Sequence, residues 1–143
     1  MDNITAANAT LILNIPDLDI SEQIQAFAVG KMFRFDPVKR KEFQMGVDGF
    51  LTGGRINMPI IMHITLLADS PSNGLVFDPW DMAEDKDQTV YWANGILEVP
   101  GVGRVYTLNK GGLETFPPVY NADNVLQAKE YSITWQSTPW SLI

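Results

Sequence analysis

The sequence predicts a mainly β domain with one helix. Glycine and proline, 11 and 9 of the 143 residues, punctuate short apolar runs, the pattern of strands joined by turns. Several of those runs alternate apolar and polar residues with period 2. Only the stretch from about 71 to 86 carries helix-start signals.

Taken in order, Ala9 to Ile15 is the first strand, stopped by Pro16. Asp17 to Glu22 reads as a polar connection. Gln25 to Phe35 is the second strand, with Phe27, Val29, Phe33 and Phe35 on one parity and Lys31 interrupting that stripe. Asp36 to Lys41 is a turn or loop holding the consecutive cations Lys39, Arg40 and Lys41. Phe43, Met45 and Val47 alternate with Gln44, Gly46 and Asp48, the signature of a half-buried strand. A turn at Asp48-Gly49 follows, then a glycine-rich break at Gly53-Gly54. Pro59 to Ala68 is the strongest strand, with Ile60, Met62, Ile64 and Leu66 on one face. Ile61, His63, Thr65 and Leu67 share the other, so both faces are expected to be largely covered.

The helix has two possible starts. Asp78 can cap with Pro79 at the first position and Asp81 in the first turn. Alternatively Ser70 caps with Pro71 first, and Pro79 then breaks or kinks the helix midway. Its acidic end, Asp78, Asp81, Glu84, Asp85 and Asp87, reads as solvated. Strands resume at Thr89 to Val99 and at Gly103 to Asn109. Lys110-Gly111-Gly112 is a turn signal, and Leu113 to Phe116 a short strand before Pro117-Pro118. Glu130 to Gln136 closes the fold, with Tyr131, Ile133 and Trp135 opposite Ser132, Thr134 and Gln136. About seven strands result.

The length of 143 residues suits one domain, 1–143. Charged residues are only 19% of the chain, below the usual value of about 25%. That fits a β domain rich in neutral polar residues, or an oligomer whose sides are covered by neighbours. The net charge of −7 argues against a nucleic-acid binder, which shows a basic face. Cysteine is absent, so no disulfide or Cys-based metal site is expected. The start MDNITAANAT lacks a signal-peptide pattern, and no run is apolar enough to span a bilayer. A soluble protein made in the cytoplasm is expected.

No catalytic constellation is legible, and no enzyme or cofactor is expected. His63 lies mid-strand with no nominated nucleophile or carboxylate beside it, so it reads as structural. Asp17, Asp19 and Glu22 lack the glycine and terminal acid of a calcium loop. Gly53-Gly54 and Gly101-Val102-Gly103 lack the ending of a phosphate loop. Lys39, Arg40 and Lys41 read as an exposed hairpin tip, with an acidic patch on another copy, such as 78–87, as a possible partner. Among the tryptophans, Trp92 and Trp135 fall in strand patterns and read as core. Trp140, in the apolar tail, is a contact candidate, as are an N-terminal arm 1–8 and the tail 137–143. Stacking tryptophans, Trp80 or Trp140, also allow a carbohydrate-binding β-sandwich of a receptor-binding or adhesin protein.

Gly46-Val47-Asp48-Gly49, Ile60 to Leu67, Ser70-Pro71-Ser72-Asn73, Gly95 to Pro100, Gly103 to Tyr106 and Tyr131 to Trp135 follow one another in an order that resembles bacteriophage tail tube proteins. The resemblance covers about residues 20–137; the Asp78-Pro79 step and the Pro-Trp tail depart from it. It implies two packed antiparallel sheets, a sandwich or partial barrel, with one flanking helix. It further implies hexameric rings whose inner sheets join around a lumen and which stack into the tube of a contractile or long non-contractile tail. The implied partners are the chain itself, a tape-measure protein in the lumen, and sheath, baseplate and tail terminator proteins. The implied location is the virion tail, after assembly in the host cytoplasm. On this reading the segment 36–59 projects to an adjacent ring, with Lys39, Arg40 and Lys41 as inter-ring contacts. Gln44, Asp48, Ser132, Thr134 and Gln136 are candidates for a neutral or acidic lumen through which DNA passes without tight binding, since a basic wall would hold phosphates.

Overall fold

A computed structural model describes residues 9–24, 33–117 and 128–142. The architecture is the mainly β one expected, with a large antiparallel sheet, a second small sheet and one helix. The large sheet runs β2 (Ile20–Gln23), β1 (Thr10–Ile15), β7 (Ala93–Val99), β8 (Arg104–Thr115), β9 (Lys129–Ser137), β6 (Ile60–Leu66) and β3 (Phe33–Phe35). A short β10 (Trp140–Leu142) pairs with the first residues of β8. The small sheet is a hairpin of β4 (Lys41–Met45) and β5 (Leu51–Arg55).

The core lies on one face of the large sheet. Met62, Ile64 and Leu66 of β6 and Tyr131, Ile133 and Trp135 of β9 are fully buried there, as their alternation requires. Leu11, Leu13, Leu97 and Leu108 continue the face across β1, β7 and β8. The opposite face of β6 is only partly covered, with Leu67 exposed.

The helical segment covers the core face. Ser70 is its cap: the Ser70 hydroxyl accepts from the Ser72 N–H at 3.3 Å, and Pro71 takes the first position. The earlier start therefore holds, and Pro79 sits inside the helix. The chain accommodates it with a π-helical turn, Asn73–Phe77, before the regular helix α1, Asp78–Asp87. A proline ring collides with the carbonyl four residues back; the wider turn immediately before Pro79 relieves that collision. Asn73 is buried and donates to the carbonyls of Leu67 (3.0 Å) and Ala68 (3.3 Å), while accepting from the Tyr131 hydroxyl at 2.7 Å. It ties the start of the helix to the ends of β6 and β9. The Phe77 ring stacks on Tyr131 at 4.0 Å, and Trp80 is fully buried with its indole N–H on the Tyr91 carbonyl at 2.9 Å. Burying side chains of this size contributes roughly 1.5–3 kcal/mol each.

Several sequence expectations change. The polar stretch 17–22 is not all connection, because β2 begins at Ile20; as an edge strand its other side chains face solvent, which hides it from a hydrophobicity reading. Of the second strand only Phe33–Phe35 lies in the described residues; Phe27, Val29 and Lys31 lie outside them. Lys110-Gly111-Gly112 is no turn. The strand β8 runs straight through it, with a bulge at which Lys110 takes φ 48°. Gly111 is there because the Trp135 ring lies against it, and a Cβ would approach the ring to 2.4 Å. The acidic end of α1 is only partly solvated. Asp78 pairs with Lys129 at 3.6 Å, Glu84 accepts from the Tyr91 N–H at 2.9 Å, and Asp87 accepts from the Tyr91 hydroxyl. Burial raises the Glu84 carboxyl above its ordinary range, and the bond to Asp87 raises the Tyr91 phenol. Trp92 is exposed and lies just before β7, against the core position expected for it.

Candidate assembly interface

The hairpin is built around a turn that the sequence dictates. Gly49 takes φ 85°, the Asp48 carboxylate accepts from the Phe50 N–H at 3.1 Å, and the Gly49 N–H donates to the Gly46 carbonyl at 3.0 Å. The register follows: Met45 opposes Leu51, Phe43 opposes Gly53 and Lys41 opposes Arg55. Gly53-Gly54 is thus strand, not a break. The Phe43 ring folds over Gly53, where a Cβ would lie 2.6 Å from it, the arrangement by which an aromatic covers a strand glycine.

Every residue from Lys41 to Arg55 is exposed. Strand period puts Phe43, Met45 and Leu51 on one face and Glu42, Gln44 and Thr52 on the other. The alternation promised a half-buried strand, yet Phe43 is 61% exposed and Phe50 at the tip 71%. The hairpin pairs with no other strand among the described residues. A long two-stranded ribbon with one bare apolar face is an unfilled contact surface.

The cations stand elsewhere than expected. Lys39, Arg40 and Lys41 form the base of the hairpin, and its tip is 46–50. Lys39 is engaged with Glu42 at 3.3 Å. Arg40 and Lys41 join Arg55 in lining a groove of about 930 Å³, together with Val38, Ile56, Met58 and Trp140. Arg55 was overlooked in the sequence, although counting outward from the Asp48-Gly49 turn places it opposite Lys41.

The apolar tail docks on its own domain. Trp140 pairs with Tyr106, the Thr107 N–H donates to the Pro139 carbonyl at 2.8 Å, and the Arg104 guanidinium covers the Trp140 ring at 4.0 Å. Trp80 is buried and cannot stack on a sugar. The lumen candidates are not brought together. Gln44 and Asp48 sit on the hairpin, and Ser132, Thr134 and Gln136 on the outer parity of β9. Ser132 is buried, and the Thr134 hydroxyl donates to Glu114.

His63 has partners that the sequence did not nominate. Its Nε2 lies 3.0 Å from Asp36 and its Nδ1 3.7 Å from Glu130, and Arg34 meets Asp36 at 2.9 Å. The bond from His63, with the charge of Arg34, holds the Asp36 carboxyl below its ordinary range. The cluster fastens the approach to the hairpin onto β6, helped by the Asp36 N–H on the Ile61 carbonyl at 3.1 Å. No nucleophile joins it among the described residues, and these hold no group of three side chains suited to a metal ion.

The described residues thus form a sheet-and-helix body and a hairpin that pairs with none of its strands. The chain belongs to the family described as tail fiber protein gp32, which matches residues 2–139, and is a structural component of a bacteriophage tail and hence of the virion. No curated protein matches it significantly in sequence. Among solved structures it is similar to a chain of the anti-feeding prophage baseplate, determined with 6-fold symmetry (TM-score 0.58, 10% identity, covering 93% of this chain and 91% of that one). It is also similar to a chain of the tube-terminating cap of the same particle (TM-score 0.53, 12% identity, covering 93% and 88%). At such identities the likeness is one of fold.

Proposed function

We propose that the chain is a ring-forming subunit of the axial conduit of the tail. Hexameric rings of it stack, the hairpin of one ring reaching the next, and enclose a passage occupied by a tape-measure protein during assembly and by DNA during ejection. The observation that carries this is the hairpin, whose apolar face at Phe43, Met45 and Leu51 is exposed and finds no partner among the described residues. The fold likeness to a chain from a six-fold baseplate and one from a tube-terminating cap supports the same geometry. So do the edges of the large sheet at β2 and β3, which are open among the described residues and which lateral pairing would close. The reading assigns the chain no reaction; sheath, baseplate and terminator proteins would be its outer and axial neighbours.

Negative-stain microscopy of concentrated protein tests it. Rings or tubes are expected; a monomer across a wide concentration range with no polymer in micrographs would overturn it. The family description favours a second reading, a subunit that attaches fibres to the conduit. That reading expects isolated rings or monomers that bind a fibre protein and never elongate.

A further inference from the structure

We infer that the cationic groove at the hairpin base receives the acidic helix α1 of a copy in the adjacent ring. The inference rests on the proposed stacking and names the charges that hold it. Lys41 and Arg55 are direct cross-strand partners, and like charges so placed destabilise a hairpin. Arg40 adds a third cation to the same groove. None of the three forms an ion pair among the described residues. In a chain of net charge −7, such a concentration of unanswered positive charge calls for an anion from outside.

The helix supplies it. Asp78, Glu84 and Asp87 have partners within the chain, but Asp81 and Asp85 form no ion pair among the described residues. Met82, next to Asp81 and one turn before Asp85 and Lys86, is 68% exposed, so an apolar side chain lies beside these carboxylates. The groove offers the complementary set, with apolar Val38, Ile56 and Met58 beside Arg40, Lys41 and Arg55 in its lining. A polyphosphate would use the cations and leave Val38, Ile56 and Met58 without an apolar partner, so a protein surface fits better than a nucleic acid. The two surfaces share no residue. The groove opens at the Ile60 end of β6, whereas the chain enters the helix from the Leu66 end, about 20 Å away along a strand of seven residues. Contact between them is therefore head to tail, a kind that can repeat from ring to ring in the proposed stack.

Two variants test this. One carries Arg40→Glu, Lys41→Glu and Arg55→Glu; the other carries Asp81→Lys and Asp85→Lys. Each alone is expected to form rings as before but to need about tenfold or more higher concentration to stack. An equimolar mixture is expected to stack again, because each variant supplies the charge its partner now lacks. The inference is overturned if either variant stacks as the unmodified chain does, if either loses rings as well as stacks, or if the mixture fails while both variants keep the unmodified melting transition. It is also overturned if a short DNA duplex binds the unmodified chain at physiological salt and the cationic variant does not, which would make nucleic acid the occupant. Should the unmodified chain form no rings, the proposed function fails. The charge pairing is then read separately by sedimentation, with association expected only in the mixture.

Discussion

Replacing Gly111 by alanine should destabilise the domain far more than the change of one methyl suggests. The added Cβ would lie 2.4, 2.5 and 2.8 Å from three ring atoms of Trp135. Ordinary contact would need about 1 Å more. Trp135 is fully buried, with Ile60 beside it on β6 and Gly111 beside it on β8, so the ring cannot move away without disturbing the core. Overpacking of this kind costs about 1–3 kcal/mol. Alanine regains about 0.5–1 kcal/mol, because glycine loses more backbone freedom on folding. Gly111 has no positive φ that would penalise a side chain, so space alone decides the sign. The net loss is up to about 2.5 kcal/mol, or as much as roughly 10 °C in melting temperature for a domain of this length. Thermal unfolding followed by circular dichroism measures it. Gly54→Ala is the matched control: nothing lies within 4 Å of its Cβ position, so the same chemistry there should cost nothing. Equal melting temperatures for the two variants would refute the packing argument.

Other outcomes follow from the same geometry. Phe43→Ser with Phe50→Ser should leave the melting temperature within about 2 °C, since both side chains are exposed and surface changes cost under about 0.5 kcal/mol, yet abolish elongation in micrographs. Glu84→Gln should alter the pH dependence of stability. Burial raises the folded-state pKa of Glu84 above 4.5, so its contribution is fully present below that pH and is lost as pH rises through the raised value. The glutamine variant, which can still accept from the Tyr91 N–H, should therefore gain stability relative to the parent at pH 7 but not at pH 4, as read by melting at both. Asp36→Asn acts with the opposite sign. The folded carboxyl titrates below 3.8, so its contribution is present at neutral pH and lost in acid. Melting curves should then show the variant less stable than the parent at pH 7 and the two converging as pH falls through that range.

Strands that bury one face were legible because burial imprints alternation: β6 and β9 lie where period 2 put them. The edge strand β2 was not, since an edge exposed to solvent has no apolar stripe. Gly111 and Gly53 were misread as turn and break because glycine marks two different needs, freedom of φ and absence of a side chain, and local sequence does not say which. Here the deciding groups are Trp135 and Phe43, 24 and 10 residues away. The same limit hid the site. Lys39, Arg40 and Lys41 were visible as a cluster, but the groove depends on Arg55 across the hairpin and on Trp140 brought round by β10. The partners of His63 are Asp36 and Glu130, from two other strands' ends, with Arg34 on Asp36, a group that only the folded sheet gathers. The helix was placed correctly, whereas the π turn that admits Pro79 leaves no mark in composition.

Whether this chain makes the rings of a conduit, as proposed, is decided by electron micrographs of the purified chain over a wide concentration range. Six-fold rings with an open centre are expected at moderate concentration and stacked tubes at high concentration, shortened as salt screens the charges over a Debye length of about 10 Å at 0.1 M. Monodisperse single subunits at every concentration, or solid fibres with no central channel, would contradict it.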